Sequence, residues 1–218
     1  MTPIVSIVGR KNSGKTTLIE GVVLELASRR WRIGTIKHSD HSLGLDDLDH
    51  KGKDSYRHKA AGACAVILSS PDRLMLIKET GSPSTITDIR RYLGDIDLIL
   101  TEGYKSEDKP KIEICRKASG EELLCTKEKD NLVAIVTDSE FNLNLPCFRP
   151  DDYKGISDFL EKEFIAKKKQ EEMELFVCQK RIPLNPFVKE FFKNSILGMI
   201  RSLRDVPEKP KEIEIRID

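Results

Sequence analysis

A lysine, a hydroxyl and a carboxylate in this chain have the types and the spacing to hold a nucleoside triphosphate with its magnesium ion. Lys15 and Thr16 close the run Gly9-Arg10-Lys11-Asn12-Ser13-Gly14-Lys15-Thr16, which fits the phosphate-loop pattern G-x-x-x-x-G-K-[ST]. At average residue frequencies such an octapeptide arises by chance in roughly one chain in a hundred of this length. The glycines let the backbone fold around an anion, with successive N–H groups pointing inward and the positive end of a helix dipole behind them. Lys15 then reaches the β- and γ-phosphates, and the Thr16 hydroxyl is placed as a ligand for Mg²⁺. The stretch from Gly9 through Thr17 is the candidate cofactor-binding loop.

A metal-bound triphosphate also needs a carboxylate at the end of a neighbouring apolar strand. Asp97-Leu-Ile-Leu-Thr-Glu102-Gly103 supplies one. Asp97 begins that strand and so lies at the far end of the sheet, whereas Glu102 ends it. From there Glu102 could hold Mg²⁺ directly, hold it through a water, or orient an attacking water. Gly52-Lys53-Asp54-Ser55 opens an expected helix, where a lysine, an acid and a helix N-terminus together suit a phosphate–Mg²⁺ cluster. Glu102 and Asp54 are therefore the candidate catalytic acids, and Thr16 and Glu102 the candidate metal ligands. Lys37 and His38 end a second strand and are expected to line the phosphate side of the cleft. The other histidines, His41, His50 and His58, follow at irregular spacing with no cysteine among them, which does not make a transition-metal site.

These residues require a particular scaffold. Pro3–Val8 is a short β-branched run, long enough for a buried strand and too short for a helix. After the loop, Leu18, Val22 and Leu26 recur at helical spacing, with Ile19 and Val23 alongside. Further strands are expected at Trp31–Lys37, Ala65–Leu68 (as a buried one), Arg73–Lys78, Ile96–Leu100, Lys111–Cys115 and Leu132–Val136. Helices are expected at Asp54–Ala61, Thr85–Leu93 and Tyr153–Phe164, with a loop from His38 to Gly52. Strands alternating with helices predict an α/β fold of the P-loop NTPase kind, with a mostly parallel, doubly wound sheet. In such a sheet ligands sit beyond the carboxyl ends of the strands, where Lys37, Glu102 and the loop all fall.

The composition changes after Phe164. The domain expected over 1–165 gives way to a charged linker at 166–173 and a small β-α-β appendage over 174–218. In the appendage Glu174–Gln179 reads as a strand, and Asn185-Pro186 opens a helix with an N-cap and a first-turn proline. Glu212–Ile217 alternates as a half-buried strand does. The helix carries Phe187, Phe191, Phe192, Ile196, Met199, Ile200 and Leu203 as an apolar stripe. So small a segment buries little core by itself, so it is expected to pack on the main domain or on a second copy.

The composition also narrows the partners. With 37 Lys and Arg against 36 Asp and Glu, the net charge of +1 gives no reason to expect nucleic acid or a membrane surface. The five cysteines, Cys64, Cys115, Cys125, Cys147 and Cys178, are scattered without a C-x-x-C pair, as expected of free thiols in a reducing compartment. No apolar stretch reaches membrane-spanning length, and Arg10 and Lys11 cut short the apolar start, so a cytoplasmic protein without a signal peptide is expected.

Taken in order, the loop at 9–17, Lys37-His38…His41, Gly52-Lys53-Asp54-Ser55-Tyr56, Ala61-Gly62-Ala63 and Leu100-Thr101-Glu102-Gly103-Tyr104-Lys105 resemble the molybdopterin-guanine dinucleotide biosynthesis protein B (MobB) family, from the start to about Phe164. The resemblance implies a homodimeric GTP-binding adapter with weak intrinsic, Mg²⁺-dependent GTPase activity. It also implies a partner, the guanylyltransferase that attaches GMP to molybdopterin. The guanine-reading tetrapeptide N-K-x-D of common GTPases is absent, and Thr126-Lys127-Glu128-Lys129 lacks the needed aspartate. Asp138, just past the strand Leu132–Val136, is the candidate base reader. A small-molecule or nucleoside kinase stays open as the alternative, with Arg73, Arg90 and Arg91 as the arginines of a lid.

Overall fold

The apolar run ahead of the loop forms β1 (Ile4–Gly9), buried along its whole length. A strand without an exposed face belongs inside a sheet covered on both sides, which is why it lacks polar alternation. The structure, a computed structural model, describes residues 2–39, 41–117, 122–139, 141, 144–168, 175–177 and 180–203. The chain divides into two compact units, Thr2–Phe159 and Leu160–Asp218.

In the first unit, β1 and the loop lead into α1 (Lys15–Ser28), followed by β2 (Ile33–Lys37), α2 (Leu45–Leu48) and α3 (Asp54–Ala60). Next come β3 (Ala65–Ser69), β4 (Leu74–Lys78), α4 (Ile86–Arg90), β5 (Leu98–Glu102) and β6 (Lys111–Cys115). The unit closes with α5 (Lys127–Asp130), β7 (Leu132–Thr137), β8 (Cys147–Phe148) and α6 (Tyr153–Leu160), whose last residue begins the second unit. Six strands form one sheet in the order β2-β5-β1-β6-β7-β8, and every pair is parallel. Because β1 is flanked by β5 on one side and β6 on the other, a crevice opens at their carboxyl ends. Gly9, Lys37, Glu102, Cys115 and Thr137 all end strands there.

Burial fixes that edge. Leu18, Ile19, Val22 and Leu26 are the buried positions of α1, which lies against β1, β2 and β5. Ile4, Ile36 and Ile99 pack with Ile86 of α4, and Val8 packs with Cys125, Leu132 and Ile135. Thr85 caps α4 by accepting from the Asp88 N–H, and Asp88 answers with a bond from the Thr85 N–H, so the helix begins where the pattern T-x-x-D places it.

The region around residue 65 differs from the expectation. Ala65–Leu68 does not become a buried strand of the main sheet. It forms an antiparallel pair with β4, a separate two-stranded sheet. Ile67, Leu68 and Leu74 are 61%, 52% and 68% exposed. An apolar run reports only a preference for leaving water, and the same residues suit a core or a surface awaiting a partner. The stretch from His38 to Gly52, expected as a loop, also holds the single turn of α2.

In the second unit α6 continues into a π-helical turn, Glu161–Ile165, and then α7 (Ala166–Lys168). The strand expected over Glu174–Gln179 is observed as β9 (Leu175–Val177), and it pairs antiparallel with β10 (Lys180–Ile182) before α8 (Pro186–Arg201) begins. Thus a hairpin, where one strand was expected, precedes the helix. Asn185 caps α8 by accepting from the Val188 N–H at 2.9 Å, with Pro186 in the first turn. The strand expected at Glu212–Ile217, the linker residues 169–173 and Cys178 lie outside the described residues. Among the described residues no helix is long and apolar enough to cross a membrane.

Candidate functional site

The chain must turn as soon as β1 ends. A Cβ on Gly9 would lie 2.6 Å from the carbonyl oxygen of Ile114 in β6 and 2.7 Å from the Ser13 hydroxyl, so only glycine fits. Gly14 closes the loop at φ 95°, a left-handed conformation, and serves as the N-cap of α1. Between them Arg10 is half-buried and Lys11 and Asn12 are exposed, while Ser13 is buried with a hydroxyl that has no hydrogen-bond partner. Buried hydroxyls are ordinarily satisfied, and this one, on the inside of the loop, is not.

Lys15 lies back over the loop. Its ammonium donates to the carbonyls of Arg10 at 2.7 Å and Gly9 at 3.3 Å. Partial burial holds its pKa below the ordinary lysine value; the Glu102 charge opposes that shift and the Lys105 charge adds to it. The ammonium thus rests on the backbone of the loop itself.

Glu102 is fixed from beneath and from both sides. It lies in register with Ile7 of β1 and Lys37 of β2. A buried bond of 2.9 Å from the Thr101 hydroxyl to the Ser6 hydroxyl ties β5 to β1 one residue earlier. The Gly103 N–H donates to the Ile7 carbonyl at 3.1 Å, and the His38 N–H donates to the Glu102 carbonyl at 3.1 Å. So held, the Glu102 carboxylate meets the first turn of α1, where the Thr16 hydroxyl donates to its two oxygens at 3.2 and 3.1 Å. Two residues far apart in sequence, both expected as ligands of one ion, are hydrogen-bonded across the crevice.

The remaining expected residues are distributed around this pair. Lys37 is exposed at the end of β2, and the ring of the next residue, His38, packs tilted at 49° against Tyr104 with centroids 4.9 Å apart. Thr17 is exposed beside Thr16. Gly52 takes a φ of 95° and Lys53 caps α3 without a side-chain bond. Ser55 is buried and donates to Asp49 at 2.5 Å, which holds the Asp49 carboxyl below its usual range. Asp54 accepts from Arg57 one turn along the same helix at 3.3 Å, at an exposed position, so its recognised partner is not Thr16 or Glu102. The Asp138 carboxylate takes the Lys117 N–H at 2.9 Å on one oxygen and the Arg116 Nε–H at 3.2 Å on the other. Those bonds, the Lys117 one foremost, hold its pKa below the usual carboxylate value. Of the arginines considered for a lid, Arg73 pairs with its neighbour Asp72 and Arg91 with Asp88 on the same helix. Among the described residues no three His, Cys, Asp or Glu side chains gather as a metal-binding group.

Sequence reasoning missed Arg116. It follows β6 immediately, and its guanidinium comes within 3.8 Å of where a Cβ on Gly14 would stand. Its place just past the apolar strand Lys111–Cys115, at the same edge of the sheet as Glu102, is the signal that could have found it.

A parallel α/β sheet with a glycine-lined loop between its central strand and first helix, and an acid on the adjacent strand end, has the fold of the phosphate-loop NTPases. Comparison with known proteins narrows the class. The family model described as molybdopterin guanine dinucleotide synthesis protein B (MobB) matches residues 4–138. A molybdopterin-guanine dinucleotide biosynthesis adapter protein of Haemophilus influenzae is 33% identical over 161 residues, covering 73% of this chain and 88% of the relative. A protein of Methanocaldococcus jannaschii, putatively such an adapter, is 28% identical over an alignment of 246 residues that takes in 99% of this chain and 97% of its own. The crystal structure of Bacillus subtilis MobB superposes with a TM-score of 0.59 at 28% identity, covering 74% of this chain and 98% of that one. This chain belongs to the MobB family.

Proposed function

We propose that this protein is a GTP-binding adapter of molybdopterin guanine dinucleotide biosynthesis, acting beside the guanylyltransferase that attaches GMP to molybdopterin. The observation that carries the nucleotide part is the hydrogen-bonded pair Thr16–Glu102 at the mouth of the loop. The names of the relatives support the adapter part.

The residues fit a magnesium triphosphate. Thr16 and Glu102 offer the hard oxygen ligands that Mg²⁺ takes, already side by side. The unpartnered Ser13 hydroxyl and the N-terminus of α1 suit phosphate oxygens. Bound there, Mg²⁺ would neutralise phosphate charge and fix the geometry of the triphosphate. The chain's own part is to bind and orient: the loop N–H groups cradle the phosphates, Lys15 swings from the Gly9 and Arg10 carbonyls onto them, and Glu102 accepts at the metal end.

Hydrolysis is expected to be slow. Purified alone, the protein should turn over GTP well below about 1 s⁻¹, the low end of typical enzymes. Phosphate-loop proteins lacking a group that neutralises the transition state can gain about 10³–10⁵ in rate from an arginine donated by a partner. A phosphate-release assay checks this, and fast turnover by the isolated chain would favour an enzyme over an adapter. The protein is also proposed to be a homodimer: the hairpin of β3 and β4 leaves Ile67 and Leu74 exposed on one face and Leu68 on the other, apolar side chains that a second copy would cover.

A further inference from the structure

We infer that Arg116 contacts the phosphates on the side of the loop away from the metal, and that Asp138 holds this arginine in place and does not read the base. The inference rests on the nucleotide-binding reading above and assigns two further residues to that site. It starts from topology. β5, with Glu102, lies on one side of β1, and β6, with Arg116 just past its end, lies on the other. Thr16 and Glu102 mark the end of the site where the metal and the terminal phosphate belong. Arg116 therefore borders the part of the nucleotide nearer the ribose.

The geometry brings a guanidinium to the loop itself. Its Nη1 lies 3.8 Å from where a Cβ on Gly14 would be, at the last turn of the loop before α1. A planar guanidinium there suits phosphate oxygens, which it can meet with two parallel N–H groups. Asp138, at the end of β7, accepts from Arg116 Nε at 3.2 Å and from the Lys117 N–H at 2.9 Å. The arginine side chain is 43% exposed and the aspartate 30%, so the pair stands at the lip of the crevice and is not sealed in the core. In Asp138 both oxygens point at the segment that carries Arg116, one at its Nε and one at the next backbone N–H, which is the arrangement of a brace.

The test is calorimetric titration of the full-length chain with GTP, GDP and xanthosine triphosphate. The proteins compared are wild type, Arg116→Ala, Asp138→Asn and the double variant, each with a thermal melt. Arg116→Ala should weaken GTP and GDP alike, by about tenfold, the size of one charge-assisted bond. Asp138→Asn should weaken GTP by less, gain no xanthosine triphosphate binding, and add nothing in the double variant. A loss confined to GTP would move Arg116 to the terminal phosphate and overturn the placement. A gain of xanthosine triphosphate binding in Asp138→Asn would show a base reader, since the amide would then pair with the xanthine carbonyl. Additive losses in the double variant would uncouple the two residues and overturn the brace. Normal GTP binding by Arg116→Ala, with binding weakened in Lys15→Ala, would sink this inference alone. A wild-type protein that binds no nucleotide would sink the reading beneath it as well.

Discussion

Lys15→Ala is expected to lose most of its GTP affinity while keeping the fold. Among the described residues the ammonium bonds to the carbonyls of Gly9 and Arg10, both on the loop itself, so its removal unties no other element there. What disappears is the point charge over the phosphates. A charge-assisted contact of this kind is worth about 1.5–3 kcal/mol, roughly ten- to a hundredfold in affinity. Calorimetry reads the affinity, and a thermal melt matching wild type within a degree or two reads the fold. Undiminished binding by this variant would remove the phosphate-loop reading.

Glu102→Gln should weaken Mg²⁺-dependent binding more than Mg²⁺-free binding. The amide keeps the shape and one acceptor oxygen, so the bond from Thr16 survives in part, but the negative charge that the ion requires is gone. β5 stays in place because its backbone is held independently by the Gly103 and His38 N–H bonds and by Thr101 on Ser6. The effect is read by titrating GTP with and without Mg²⁺ in both proteins. Equal losses under the two conditions would assign Glu102 to structure. Asp54→Asn is the matched comparison: its carboxylate meets Arg57 at the surface, so a smaller Mg²⁺ effect is expected.

Much of the first unit was legible because its signals are local. The order strand, glycine loop, helix follows from β-branched residues at Pro3–Val8 and apolar spacing in α1, and both elements formed as the pattern demanded. Glu102 could be placed at the correct edge from the length of the apolar run that it ends. What the sequence withheld depends on pairing between distant segments. That β5 inserts between β2 and β1 decides which acid faces Thr16, and no periodicity records it. Arg116 was overlooked because its significance depends on β6 lying beside β1. Ala65–Leu68, expected as a buried strand, is instead half of the exposed β3–β4 pair, because an apolar run records a preference for leaving water but not whether the fold covers it. In the second unit, the cap at Asn185-Pro186 was readable from two residues, whereas β10 (Lys-Arg-Ile) carries too little apolar pattern to announce itself.

The central claim, a GTP site built from the loop, Thr16 and Glu102, is tested most directly by calorimetric titration of the wild-type chain with GTP and with ATP, each with and without Mg²⁺. One GTP should bind per chain, more tightly than ATP and more tightly still when Mg²⁺ is present. Absence of binding by either nucleotide, or a preference for ATP unaffected by Mg²⁺, would contradict the claim.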